Sequence, residues 1–316
     1  MDRTVLLAAV MVAGVMAGPG AQPPPASGQA PSPPVFSARA ELVVLHVTVR
    51  DRRGAYVGDL PADAFTVLED DVPQRIEMFL AQDAPVTVGL LVDNSTSMMP
   101  ATAHILAAAG AFVRTSHPQD EIFALAFNDR VRAALPPEAP FTSDAATLDA
   151  ALRGVIAPWG RTALHDAILT GLRYADRGTY PRKVLVVVGD GGDNASATSF
   201  DDVLPHVLAS NAAIYTIAIV DPLDRDANPR RLRRLAELTG GEAFSPGRIG
   251  DVGGVIEQIA RDIRHTYTIG FVPATSARDG EIRRIQVAAR APDRRGLSVR
   301  TRQQYAVEEG VVGHGR

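Results

Sequence analysis

Between residue 86 and about residue 266 the chain alternates two hydrophobic patterns. Continuous apolar runs (VTVGLLVD, EIFALAFN, KVLVVVGD and AAIYTIAIVD) are separated by longer stretches in which apolar residues recur at helical spacing. The runs predict strands buried on both faces, and the stretches predict helices near 101–115, 145–155, 163–177, 200–210, 229–239 and 252–264. Such alternation makes an α/β unit, a Rossmann-like, mostly parallel sheet flanked by helices.

The flanks read differently. ELVVLHVTVRD, AFTVLED and QRIEMFLAQD are strand-like, Arg53-Gly54 marks a turn, and no helical period appears before Pro85. After the α/β unit TYTIGFVP, EIRRIQVAAR and LSVRTRQQY return to strand character. About three strands on each side are marginal as independent modules, whereas together they suffice to pack face to face. The sequence thus predicts a small β-sandwich built from both flanks with the α/β domain inserted in it; two independent flanks are the alternative. The expected limits are 36–84 and 266–308 for the flanks, 85–265 for the inserted domain and 309–316 for a tail.

The first residues bear on location. Arg3 precedes the apolar run VLLAAVMVAGVMA, and small residues follow, the pattern of a secretory signal over 1–21. The run falls short of the roughly 20 apolar residues of a comfortable membrane span, although a retained anchor is the alternative. Residues 22–35, rich in Pro, Ala, Ser and Gly, read as an extended linker. No later segment is expected to cross a membrane, so the chain is expected to be secreted, periplasmic or in the cell envelope. The 32 basic and 36 acidic residues leave a formal net charge of -4 with no basic tract, which argues against nucleic acid as a partner. The absence of Cys excludes disulfides, thiolate metal sites and cysteine nucleophiles.

The chemistry concentrates where apolar strands meet polar loops. In GLLVDNSTSM, residues two apart in extended chain point the same way, so Asp93, Ser95 and Ser97 can present a carboxylate and two hydroxyls to one point. That point lies beyond the carboxyl end of a strand, where open parallel sheets bind ligands. A second strand delivers Asp190 at its own end, and PWGRTALHDA offers Thr162 just ahead of a helix. Five oxygen donors from three loops suit Mg²⁺ or Mn²⁺, in preference to zinc or copper. Asp193 and Asn194 read as an Asx-type turn, Trp159 as a loop anchor, His165 as a packed or solvent-facing helix residue, and the Arg-rich RDANPRRLRRL as a solvated helix face.

DNSTS at 93–97, the Thr162 loop in GRTALHDA and VVVGDGGDN around Asp190 closely resemble the von Willebrand factor type A (VWA) domain and its metal-ion-dependent adhesion site. GDLPADAFTVLEDDVPQRIEMF, LAELTGGEAF and IRHTYTIGFVP extend the resemblance to the secreted bacterial proteins termed VWFA-related, over about residues 43–305. The resemblance implies that Ser95 and Ser97 ligate Mg²⁺ or Mn²⁺ (Ca²⁺ less favoured) directly. Thr162, Asp93 and Asp190 would do so directly or through water. It also implies a non-enzymatic adhesion module whose protein ligand supplies a carboxylate. Arg161, where many relatives have a small residue, could attract acidic partners.

Two other function classes fit the residues less well. A phosphatase-like hydrolase would place a second Asp two residues after the first, where this chain has Ser95. An intracellular VWA subunit acting with an ATPase conflicts with the signal-like N-terminus. Export makes a direct forecast: N-terminal sequencing of the exported protein finds a start between residues 18 and 22, and a start at Met1 or Asp2 replaces cleavage by an anchor.

Overall fold

The computed structural model describes residues 42–307 except 82–83, 222–223, 275–277, 279 and 293. The signal segment and linker predicted for 1–35 and the tail at 309–316 lie outside the described residues. In chain order the elements are β1 (Val43–Arg50), β2 (Phe65–Glu69), β3 (Val72–Gln74), β4 (Ile76–Leu80), β5 (Thr87–Asp93), α1 (Thr102–Thr115), β6 (Glu121–Phe127), β7 (Val131–Ala133), α2 (Ala145–Val155) and α3 (Leu164–Asp176). They continue with β8 (Lys183–Gly189), α4 (Phe200–Ala209), β9 (Ala212–Ala218), α5 (Pro229–Thr239), β10 (Ala243–Phe244), α6 (Val252–Arg264), β11 (Thr266–Phe271), β12 (Ile282–Ala289), β13 (Ser298–Arg300) and β14 (Gln304–Ala306).

The central sheet runs β10-β9-β8-β5-β6-β7, parallel except for β7, which returns antiparallel to β6. Alternate residues of its strands feed two cores. Val88, Leu90 and Val92 of β5 face Ile105, Phe112, Leu148, Ile256 and Ile259 from α1, α2 and α6. Leu91, with Phe123 and Leu125, faces Leu164, Ile168, Val203 and Leu232 from α3, α4 and α5. Every residue of β5 and β8 is buried, which is why these strands read as unbroken apolar runs. Contrary to the expectation that no later segment is apolar enough to span a membrane, residues Thr96–Thr115 pass that test by length and composition. Here they form a short 3-10 turn and α1, whose Ile105, Leu106, Phe112 and Val113 are packed into the sheet's core.

The flanks pair with each other. One sheet runs β13-β1-β11-β4 and the other β14-β12-β2-β3, so each contains strands from both ends of the chain. The central registers are Leu45 opposite Ile269 and Val67 opposite Val287. Odd-numbered residues of β1, Val43 to Val49, meet Phe65, Val67, Tyr267, Phe271 and Ile285 in the sandwich core. The even-numbered residues turn toward the α/β unit: His46 Nε2 lies 2.8 Å from the Asn211 carbonyl oxygen, and the Val44 amide donates to Asn211 Oδ1. Arg302 adds a second tie, donating to the carbonyls of Leu208 and Ser210 at the end of α4. LSVRTRQQY, expected as one strand, is two: β13 and β14 belong to opposite sheets, with residues 301–303 crossing between them.

A buried carboxylate locks this junction. Asp262 of α6 accepts from Arg300 of β13, from Arg50 of β1 at 3.3 Å and from the Tyr215 hydroxyl of β9 at 2.5 Å, and its side chain is fully buried. Glu242 lies 3.2 Å from Arg50 and 3.6 Å from Arg300, completing the charge balance. Removing one partner of a buried ionic cluster strands the others, at a cost of about 3–5 kcal/mol. Asp262→Ala should lower unfolding free energy by about that amount in denaturant melts, and Asp262→Asn by less, because the amide still accepts hydrogen bonds.

Candidate functional site

The chain runs from β5 to β6 on one side and later to β8 on the other, so the sheet's order reverses between β5 and β8. Loops leaving the carboxyl ends of two such strands diverge and leave a crevice. Asp93 ends β5 and Asp190 directly follows β8, which puts the two carboxylates at that crevice.

The loops are fastened before any ligand is considered. Asp93 Oδ1 accepts from the Ser95 amide at 2.9 Å, and Asp190 Oδ1 accepts from the Gly192 amide at 2.8 Å. Ser97 Oγ donates to Asp190 Oδ2 at 2.7 Å and lies 3.1 Å from Ser95 Oγ. Asp93, Ser95, Ser97 and Asp190 thus form one connected polar set. Thr162 stands on a third loop tied to both others. The Thr96 hydroxyl donates to the Gly160 carbonyl at 3.1 Å, the Trp159 amide donates to Asn94 O, and Asn194 Oδ1 accepts from the Thr162 amide at 2.9 Å.

Asp93 Oδ2 is buried and has no hydrogen-bond partner. Burial, with the Asp190 charge adding to it and the Ser95 hydrogen bonds opposing it, pushes the Asp93 carboxyl up to about 7. A close approach leaves it little room to relax: a Cβ at Gly189 would stand 2.8 Å from Asp93 Oδ2. A buried, partnerless carboxylate oxygen beside hydroxyls and a second carboxylate fits a hard divalent cation. Among the described residues no group of three His, Cys, Asp or Glu could hold a metal, and no catalytic cysteine or metal cluster is present. The donor set here has only two residues of those types, the others being hydroxyls.

Several neighbouring readings change. Asp193 and Asn194 do more than make a turn: Asp193 Oδ2 accepts from the His165 amide and the Ser196 hydroxyl, and Asn194 positions Thr162. His165 is packed, with Nδ1 3.0 Å from the Thr198 carbonyl oxygen. Arg161 is engaged rather than free, with Nε 2.9 Å from Asp129 Oδ1 and Nη1 donating to Asn194 O. The Arg-rich helix face is not wholly solvated: Arg231 donates to the Gly191 carbonyl at 2.8 Å and lies over the Phe200 ring, bracing the Asp190 loop. Trp159, expected as a loop anchor, leaves 53% of its surface exposed. Nothing in the sequence distinguishes Arg231 from its neighbours; helical phase places it at the helix start, beside the loop.

Residues 88–192 match the family model for the von Willebrand factor type A domain. No curated protein matches the chain. Similar solved structures include a von Willebrand factor type A protein from Catenulispora acidiphila, 13% identical, covering 87% of this chain and 76% of that one with a TM-score of 0.49. The vWF domain of the type V pili tip protein Mfa5 from Porphyromonas gingivalis is 14% identical, with 57% and 95% covered and a TM-score of 0.45. Conserved hypothetical protein BatB from Bacteroides thetaiotaomicron is 16% identical, with 56% and 97% covered and a TM-score of 0.44.

The raised acid gives a signed test. A carboxyl whose pKa rises on folding contributes its full stability below the usual value of 3.8 and loses it as pH rises through about 7. In chelator, Asp93→Asn should therefore gain stability relative to the unsubstituted chain as pH rises from about 4 to about 7, with no further gain above. Paired denaturant melts across this range measure it, and a pH-independent difference contradicts the burial argument. Residues 88–192 match that family model, and the strand order around them gives the α/β unit a von Willebrand factor type A fold, carried between the two halves of a β-sandwich.

Proposed function

We propose that this protein is an extracytoplasmic binding module that captures an acidic group of a protein partner through Mg²⁺ or Mn²⁺ held by Asp93, Ser95, Ser97, Thr162 and Asp190. The observation that carries the reading is the buried Asp93 Oδ2, left without a partner in a set composed of carboxylates and hydroxyls. When bound, the ion supplies a positive centre able to accept one further oxygen ligand. Asp93 and Asp190 only balance its two charges, so an incoming carboxylate is a favourable addition. The residues' own part is to hold the donors in place: Asn194 and Gly160 O fasten the Thr162 and Thr96 loops, and Arg231 fixes the loop after Asp190.

The rim supports a protein as the ligand. Five large apolar side chains are exposed among the described residues, and three of them, Met99, Trp159 and Val220, sit on segments leaving this edge of the sheet. Met99 lies two residues after Ser97 in the 3-10 turn, the Trp159 amide bonds to Asn94 O, and Ile219, just before Val220, bonds to Gly189 O. Apolar groups encircling a point of charge fit a partner whose acidic side chain is flanked by hydrophobic ones. The signal-like N-terminus supports a location outside the cytoplasm.

Pull-down from envelope and secreted material, with and without divalent ion, identifies the partner. Asp93→Ala should abolish both Mn²⁺ binding, measured by calorimetry, and partner capture. Thr162→Ala should lose more partner affinity than metal affinity, and Trp159→Ala should weaken partner binding alone, by about 2 kcal/mol. Capture that persists unchanged in excess chelator overturns the mechanism.

A further inference from the structure

The string Asp-Arg-Arg-Gly occurs twice, at 51–54 and 293–296, more than two hundred residues apart. The fold brings their Arg-Arg-Gly parts, 52–54 and 294–296, together. Arg50 and Ser298 are opposite one another in the antiparallel β1–β13 pair, so the first copy leaves β1 at the end where the second enters β13. Gly54 and Gly296 both have left-handed backbone, with φ of 81° and 71°, and the Arg52 side chain lies directly on the Gly296 backbone, in space that any Cβ there would occupy.

Between the turns lies an open cleft of about 950 Å³, lined by Arg52, Arg53, Arg294, Arg295, Tyr56 and His265, with Asp51 and Asp59 as its acids among the described residues. Both acids are already engaged. Asp51 Oδ1 accepts from the Arg53 and Ala55 amides at 2.8 and 2.9 Å, and Asp59 is clasped by both terminal nitrogens of Arg294. Arg52, Arg53 and Arg295 are exposed and have no ion-pair partner among the described residues. Tyr56 and His265 stack at 4.6 Å between ring centres, giving the cleft a flat wall. The concentration of unpaired positive charge is notable in a chain whose formal net charge is -4.

We infer that the paired Arg-Arg-Gly turns, 52–54 and 294–296, form a second binding site, for a ligand carrying phosphoryl groups. Three guanidiniums with no ion-pair partner among the described residues, gathered in one cleft, call for more negative charge than one carboxylate carries. A phosphoryl group has up to two charges and three acceptor oxygens, and planar guanidinium forks match it two-pronged. The site is independent of the metal reading. It lies on the sandwich, which docks on the amino edge of the central sheet through Asn211 and Ser210, whereas Asp93 and Asp190 are at the carboxyl edge.

The test uses the full chain carrying Asp93→Ala, in metal-free buffer, so that the carboxyl-edge site cannot contribute. Calorimetry with inorganic pyrophosphate should show saturable binding that weakens at least about tenfold in Arg52→Gln/Arg53→Gln/Arg295→Gln. All three side chains are exposed, so the variant should keep the parent's melting curve, and Arg225→Gln/Arg230→Gln, which removes charge elsewhere, should bind as the parent does. Sedimentation with phosphatidylcholine vesicles, with and without phosphatidylglycerol, distinguishes the sources. Retention only on the anionic vesicles, competed by pyrophosphate, assigns the phosphoryl to a lipid headgroup; pyrophosphate binding without vesicle retention assigns it to a free phosphate compound. Absence of binding to both probes, equal binding by the triple variant, or preference for polyglutamate over pyrophosphate overturns the inference.

Discussion

Asp262 carries a charge that solvent cannot reach, so its neutralisation must come from inside the protein. The groups that supply it come from β1, β9 and β13: Arg50, Tyr215 and Arg300. The cost of leaving any of them unpaired makes the junction nearly all-or-none. It fixes the sandwich against the α/β unit and ties the chain's first described strand to one of its last. β1 is buried on both sides, by sandwich core on one and by the Asn211 segment on the other, so the flanks share their packing with the inserted domain.

The carboxyl edge follows a different logic. At the junction Asp262 and Glu242 meet Arg50 and Arg300; at the crevice Asp93 Oδ2 has no partner, and the surrounding hydrogen bonds hold the loops. Loop-to-loop bonds through Asn194, Gly160, Arg161 and Arg231 make the polar set a fixed arrangement. The partnerless carboxylate oxygen within this braced set is the feature on which the proposed ion site rests.

Much of this was legible in the residues. The helices at 145–155, 229–239 and 252–264 coincide with α2, α5 and α6, because amphipathic periods with Asp144 or Asn228 as N-caps leave little choice of limits. The α/β class and a sandwich shared by the flanks were readable from the contrast between continuous and alternating apolar runs. Hidden were features set by distant pairing. β7 and β10 are too short to carry a period, and the crossing at 301–303 looks like continued strand because both of its neighbours are strands. In the site, D-x-S-x-S spacing located Asp93, Ser95 and Ser97, and strand ends located Asp190. The bracing by Arg231, the engagement of Arg161 and the exposure of Trp159 depend on loop packing that no local pattern encodes. The meeting of the two Arg-Arg-Gly turns likewise depends on the β1–β13 register.

The strand order also decides how the molecule meets mechanical load. β1 and β14, the first and last described strands, both belong to the sandwich, while the α/β unit is inserted between β4 and β11, which are hydrogen-bonded neighbours. Tension across residues 42 and 307 is therefore transmitted through interleaved sandwich strands. The inserted domain hangs outside the force path, its entry and exit pinned side by side. A partner gripping the carboxyl edge instead pulls on the insert, and that load reaches the sandwich through the adjacent β4 and β11 strands and the Asp262 cluster. The same protein thus has two distinct directions of strength, one for a chain pulled at its ends and one for a chain pulled by what it holds.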